Sequence, residues 1–378
     1  MFFMGVDIFL KILKQNPNFK LPTLFDQETI SLSVYKSASF ERHSHNSIFH
    51  NMRLCFLFFV LLLLICNCFA DRCFPQEKKT LMKIKKHFGN PYHLASWRND
   101  LDCCEWYTIG CDLVTNHVTS LSIFWANISG TIPPFIGDLS ELQNLDLNHI
   151  TNITGPIQPT IAKLKKLTQL RLQHLNLTGP IPAFLGQLTN LLALDLSVNS
   201  LSGAIPPELA LLPNLIDLRL SRNQLSGPIP SSLAKFAGSA TPEIRLSQNR
   251  LSGQIPASFS NLNTTAIDIS RNFLTGDPSM LFGLSKRAQY IDLSRNNFSF
   301  DISNVVFPSG LAHFDINHNR IFGSLPKQMA QLDLQFLNVS YNRLCGPIPQ
   351  GGMLQSYNDD YVYFHNKCLC GSPLPSCK

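Results

Sequence analysis

Short alternations of apolar and polar residues recur along this chain at a fixed distance. Leu194-Asp195-Leu196-Ser197-Val198-Asn199-Ser200-Leu201-Ser202-Gly203-Ala204-Ile205-Pro206 returns in close form at 218–230 and at 244–256. Its Asn reappears at Asn199, Asn223, Asn249, Asn272, Asn296, Asn319 and Asn342, a step of about 24 residues. Two leucines separated by one residue point to the same face of a strand, and the residue between them points to the other. One such strand cannot bury its leucines alone, but the strand of the next unit laid alongside does so.

The L-x-L-x-x-N-x-L core is therefore read as a leucine-rich repeat, and the expected fold class is an α/β repeat. The expected form is a right-handed solenoid of ten repeats, with a parallel sheet on its concave side. Asn stands where the chain leaves the strand, and its amide can donate to and accept from backbone groups that the ladder leaves open. The Gly that follows suits a turn with positive φ, and the Pro holds its neighbour extended. Phe135, Phe184, Phe236, Phe259 and Phe282 are expected to fill the back of the coils. The Asn slot holds Ala126, Ile150 and Leu175 in the first three units. The Gly-x-Ile-Pro part fails at Gly276-Asp277-Pro278 and near Phe300-Asp301-Ile302, so a second sheet on the flank should be interrupted at both places.

Ahead of the array, residues 1–51 show no repeat and no motif, and they read as an upstream extension from a mis-set start. Met52-Arg53 opens an apolar run, Leu54 to Cys66, that closes on small residues at Cys68 and Ala70. It is shorter than the roughly 20 residues of a membrane span. Residues 52–70 therefore read as a secretory signal cut after Ala70, with a signal anchor as the rival. The cut leaves a charge of +4, against +6 for the full chain, too mild and too dispersed for nucleic acid. It also leaves eight cysteines, four at each end of the array: Cys73, Cys103, Cys104 and Cys111, then Cys345, Cys368, Cys370 and Cys377. An even count behind a secretory signal implies disulfides. End coils need caps, so residues 71–117 and 350–378 are read as cysteine-bonded caps on an array spanning 118–349. In the first cap, Leu81, Ile84 and Phe88 share a helical face, Gly89-Asn90-Pro91 stops the helix, and Trp97 and Trp106 cover the first coil. Eight cysteines allow 105 pairings, with locality favouring pairs inside each cluster. No metal and no cofactor are expected. The sequons at Asn127, Asn152, Asn176, Asn263 and Asn297 are candidate glycosylation sites, and Asn338, on a strand, is expected to stay bare.

The Leu-Ser/Thr-Gly-x-Ile-Pro form of the repeat resembles extracellular plant leucine-rich-repeat proteins. Gly89-Asn90-Pro91-Tyr92-His93-Leu94-Ala95-Ser96-Trp97, Asp315-Ile316-Asn317-His318-Asn319, Phe336-Leu337-Asn338-Val339-Ser340-Tyr341-Asn342 and the ending Cys368 to Lys378 narrow this. Together they resemble the polygalacturonase-inhibiting proteins over residues 71–378. The resemblance implies the pairing Cys73–Cys103, Cys104–Cys111, Cys345–Cys368 and Cys370–Cys377. It also implies a secreted, non-enzymatic protein of the apoplast and cell wall. Such a protein binds polygalacturonases of fungi and some insects through the concave face and obstructs the substrate cleft. A monomer without a membrane span is expected, with pectin as a further wall partner.

On that face the outward positions of each strand are expected to be exposed. The candidate partner-binding residues are Arg171, Ile216, Asp217, Arg219, Arg222, Glu243, Arg245, Arg271, Gln289, Asp292, Arg295, His313, Asp315, Gln335 and Tyr341. An acidic stripe, Asp268, Asp292 and Asp315, runs beside Arg271 and Arg295. A bland ladder of Asp–Arg pairs would contribute little, whereas Arg and aromatic residues on a rigid surface make strong anchors. The spacing of Asp268 and Asp292 also suits a retaining glycosidase pair. Against that, the sheet is open, and Arg271 and Arg295 are expected to keep both carboxylates ionised. A developmental signalling partner on the same scaffold is the alternative function. A receptor would need a kinase or membrane span after the array, and ice binding would need flat Thr/Asn rows, where the concave rows are charged.

Overall fold

The structure, a computed structural model, describes residues 72–236, 242–352, 354 and 359–378. Asp71–Lys378 forms one compact unit. The readings of residues 1–51 and 52–70 lie outside the described residues.

The strand of each repeat is joined to the next in one sheet of eleven, opened by Ile109–Cys111 and closed by Phe336–Asn338. The first pair is antiparallel, and every later pair is parallel. The register has no slip from the fourth repeat on: Leu194, Leu218, Ile244, Ile267, Ile291, Phe314 and Leu337 lie side by side. All seven are buried. A slip of one residue would turn every leucine outward, so burial fixes the register.

The Asn row does the backbone work expected of it. The Asn272 amide donates to Leu246 O, Ile269 O and Ser270 O, each at 3.1 Å, and its Oδ1 accepts from Leu251 N at 3.0 Å. One side chain thus ties its own turn to the repeat before it. The residue ahead of each Asn slot bends left-handed: Val198, Arg222, Gln248, Arg271, Arg295, His318 and Tyr341 have φ of 53° to 58°. The same bend holds Trp125, His149 and His174 in the three turns with apolar slots. His365 and Asn366 continue both rows into the closing cap, where the Asn366 amide donates to Val339 O and Tyr363 O. The array thus has an eleventh turn beyond the ten expected.

A second sheet of eight strands, Gly130–Thr131 to Asn297–Phe298, runs along the flank. It is not interrupted at Gly276, contrary to expectation. That glycine keeps its φ of 79°, and the strand Phe273–Gly276 still pairs with Asn297–Phe298. The second expected break is real. Phe300 stands where the other turns have Gly and buries itself against Phe282. Beyond it the bridge Asp301–Phe322, with Arg320 N donating to Phe298 O, Phe322 N to Phe300 O and Ile302 N to Phe322 O, leads to a separate three-stranded sheet. Phe236, Phe259 and Phe282 are buried, while Phe135 and Phe184 pack only partly against the core.

The first cap is the helix Pro75–His87, which buries Leu81 and Ile84, with Phe88 as its C-cap. Trp97 and Trp106 stack at 5.5 Å, both buried. The buried Glu77 carboxylate joins cap to array by accepting from Val118 N at 2.9 Å and His117 Nδ1 at 3.0 Å. The disulfides are Cys73–Cys103, Cys104–Cys111, Cys345–Cys368 and Cys370–Cys377, as the resemblance implies.

Candidate functional site

The long sheet brings all fifteen candidate binding residues to one surface. Ile216, Gln289 and Gln335 come one residue before their strands and form one rim, all exposed. Asp217, Glu243 and His313 begin their strands; Arg171, Arg219, Arg245, Asp292 and Asp315 form the central row. Arg222, Arg271, Arg295 and Tyr341 make the opposite rim, presented by the left-handed turn.

One expectation about this face needs correction. The central row is not uniformly exposed: Asp195 and Asp315 are only 5% and 8% exposed. Each carboxylate folds back along its own strand. Asp195 accepts from Ser197 N, Asp268 from Ser270, Asp292 from Ser294 N, and Asp315 from Asn317 N and Nδ2. The self-satisfying Asp–Arg ladder, the bland alternative for the acidic stripe, does not form. Among the described residues the ion pairs of this face are Arg171–Asp146 at 3.8 Å, Arg219–Asp217 at 2.9 Å and Arg245–Glu243 at 3.1 Å. The side chains of Arg222, Arg271 and Arg295 make no ion pair or hydrogen bond with a described residue, and all three are exposed. The serine and asparagine two residues after each Asp are the reason, because they satisfy the carboxylate before an arginine can.

The electrostatics follow from that packing. Burial raises the Asp292 carboxyl above the usual range, and the neighbouring Asp268 charge adds to this. Burial, aided by Asp292, pushes Asp315 up to about 7. At Asp292 burial thus outweighs the hydrogen bonds that favour the charged form. Burial and the same carboxylates push Tyr290 up to about 12, and burial lowers His313.

For Asp315 the consequence for stability has a definite sign. An unfolded Asp loses its proton near pH 4, and the folded one near 7. Between these values the folded chain holds a proton that the unfolded chain has lost, so stability falls as pH rises through the window. The deficit is complete above pH 7 and reaches at most ~4 kcal/mol. Asn338 fills the same slot one repeat on and accepts from Ser340 N and Oγ. Asp315→Asn is therefore expected to keep the hydrogen bond and flatten this decline. Melting curves should show a larger gain at about pH 7.5 than at about pH 4.5; an equal gain at both would sink the assignment.

The sequence reading missed an aromatic ladder. Tyr290, His313 and Phe336 occupy one register position in three consecutive strands. Their rings stack in parallel, at 4.0 Å and 4.3 Å. Ala266 leaves a gap before them, and across it the Arg245 guanidinium sits 5.5 Å from the Tyr290 ring. The signal was visible as three aromatic residues in one row. A second stack, His318–Tyr341–His365, continues the arginine rim. On the flank sheet, Thr154, Thr178, Ser202, Ser226, Ser252 and Thr275 each expose a hydroxyl, one in each of six strands.

The comparisons with known proteins agree with this geometry. A leucine-rich-repeat N-terminal domain model matches residues 74–112, and a leucine-rich-repeat model matches 190–212, 214–236 and 243–262. The chain is 57% identical to a polygalacturonase inhibitor of Pyrus communis, over 82% of this chain and 93% of the relative. It is 59% identical to polygalacturonase inhibitor 1 of Arabidopsis thaliana, over 86% and 98%. A solved plant ice-binding protein shares 47% identity and a TM-score of 0.80, covering 81% of this chain and 99% of that one. With the capped repeat array, the paired cysteines and this identity over nearly the full length of its relatives, the chain belongs to the polygalacturonase-inhibitor family of leucine-rich-repeat proteins.

Proposed function

We propose that this protein binds fungal polygalacturonases through the open face of its long sheet and inhibits them by covering the substrate cleft. The observation that carries the reading is its identity to polygalacturonase inhibitors across nearly their whole length. The face supports it. Three uncommitted arginines stand on one rim, and a pre-stacked aromatic ladder runs along the other side of the sheet. Arginine and rigid aromatics on a fixed scaffold lose little entropy on binding and make strong anchors. The site acts by occupation and carries out no reaction. The arginine rim also suits the uronate chains of pectin, which would hold the protein in the cell wall. In this reading the protein is a secreted monomer, cut after Ala70, with glycans on Asn127, Asn152, Asn176, Asn263 and Asn297.

The test is titration of the purified protein against a panel of fungal polygalacturonases, with reducing-end release from polygalacturonate as the readout. Saturable inhibition of at least one enzyme is expected. No effect on any member would shift the reading to a developmental signalling partner. A second reading rests on the flank hydroxyl row and on the likeness to the ice-binding protein. The same preparation scored for ice recrystallisation separates the two, because lysines at Ser202 and Ser226 should abolish only that activity.

A further inference from the structure

The first three repeats end their strands differently from the rest. Where the next five turns present Val198, Arg222, Gln248, Arg271 and Arg295, these present Trp125, His149 and His174. The His149 and His174 rings lie on neighbouring strands with centroids 4.4 Å apart and planes 71° apart. That is close enough for two imidazoles to share one ion. The His149 Nδ1 donates to Asn148 Oδ1, which leaves Nε2 as the bare ligand atom. A carbonyl that accepts from the other ring nitrogen, and so fixes the tautomer and orientation, is the usual support of a metal-binding histidine. The side chain of His174 makes no hydrogen bond or ion pair with a described residue, and both rings are half-buried. Trp125 stacks on the far side of His149 at 4.0 Å and limits its motion. The contrast at the other end of the face is informative. His318 has the same Nδ1 partner type, Asn317 Oδ1 at 2.8 Å, but Tyr341 lies between it and His365.

We propose that His149 and His174 form a binding site for a divalent transition-metal ion, with Cu2+ held most tightly. Two neutral imidazoles are nitrogen donors of the type that copper, nickel and zinc prefer, and copper leads that series. Two protein ligands leave coordination positions open to water or to a side chain of a bound protein, so the ion would add a directional contact to this end of the face. The inference stands whether or not the protein inhibits polygalacturonase.

Trp125 supplies the readout. It is 72% exposed and stacked on a ligand, whereas Trp97 and Trp106 are buried in the cap. Titration of the full chain with CuCl2 should quench part of the tryptophan emission along a saturable curve. His149→Asn or His174→Asn should raise the half-quenching concentration by about tenfold or more, since even outer-shell changes cost that much. Asn is chosen because it tolerates the left-handed turn, and unchanged melting would show that the variants fold. Trp125→Phe should lose the quenching and keep the nitrogen hyperfine pattern of bound Cu2+ in electron paramagnetic resonance. Quenching that does not saturate, or that survives both histidine variants unchanged, would overturn the site.

Discussion

Replacing Arg222 and Arg295 together with Asp is expected to weaken binding to a sensitive polygalacturonase by about 100-fold or more, because a single anchor residue is worth ~2 kcal/mol or more. These two are chosen over Arg219 and Arg245 for a structural reason. Arg219 and Arg245 already hold Asp217 and Glu243. Removing either would free a carboxylate on the same face and confuse the result. Arg222 and Arg295 have no such partners and stand in the left-handed turn at φ of 58° and 53°. Asp accepts that backbone more readily than most residues, so the melting temperature should stay within about 2 °C of the parent. The change also reverses the sign of the rim. Association should therefore slow and lose some of its salt dependence, which stopped-flow mixing at two ionic strengths can read. Unchanged inhibition of every sensitive enzyme would remove the arginine rim from the binding surface.

The rim shows which parts of this molecule its sequence discloses. Period-two leucines and a fixed repeat length determine burial and register, because every alternative turns the apolar set outward. That is why the core, the strand order and the sharing of one face by Arg171, Arg222 and Gln335 could all be read from the string. What could not be read depended on competition between nearby polar groups. Asp268, Asp292 and Asp315 looked like partners for Arg271 and Arg295. Ser270, Ser294 and Asn317, each two residues on, capture those carboxylates instead. The arginines are left free, and a buried acid is left with a raised pKa. The flank sheet was half legible for a similar reason. Losing Ile-Pro after Gly276 does no harm, because the glycine still makes the turn, whereas with Phe300 in the glycine slot the paired strands give way to a single bridge. The eleventh turn was hidden because Tyr361-Val362-Tyr363-Phe364-His365-Asn366 puts tyrosine in both leucine slots while keeping the Asn.

From the fourth repeat into the closing cap the Asn persists even where its leucines do not, which marks it as the anchor of that part of the array. Asn272→Ala is expected to be the most damaging single change on the sheet, costing ~3–5 kcal/mol. The side chain is 5% exposed and makes four hydrogen bonds to backbone groups. Alanine would orphan Leu251 N in a region closed to water, at about 1–3 kcal/mol, and would take one of two donors from each of Leu246 O, Ile269 O and Ser270 O, which keep Asn249 Nδ2, Asn296 Nδ2 and Gln248 N. The natural apolar slots at Ala126, Ile150 and Leu175 do not argue otherwise. They lie next to the disulfide-bonded cap, and Leu172 O in the third turn is served from the next repeat by Asn199 Nδ2 at 2.7 Å. Asn272 sits in the middle of the array, and its loss uncouples the sixth repeat from the seventh. In an array held by contacts between neighbours, the damage should be local. Urea unfolding should broaden or split, and hydrogen exchange should speed first at Leu251 N, whose acceptor is gone. A clean two-state transition displaced by less than about 1 kcal/mol would show that the Asn row is ornament to a sheet its leucines already hold.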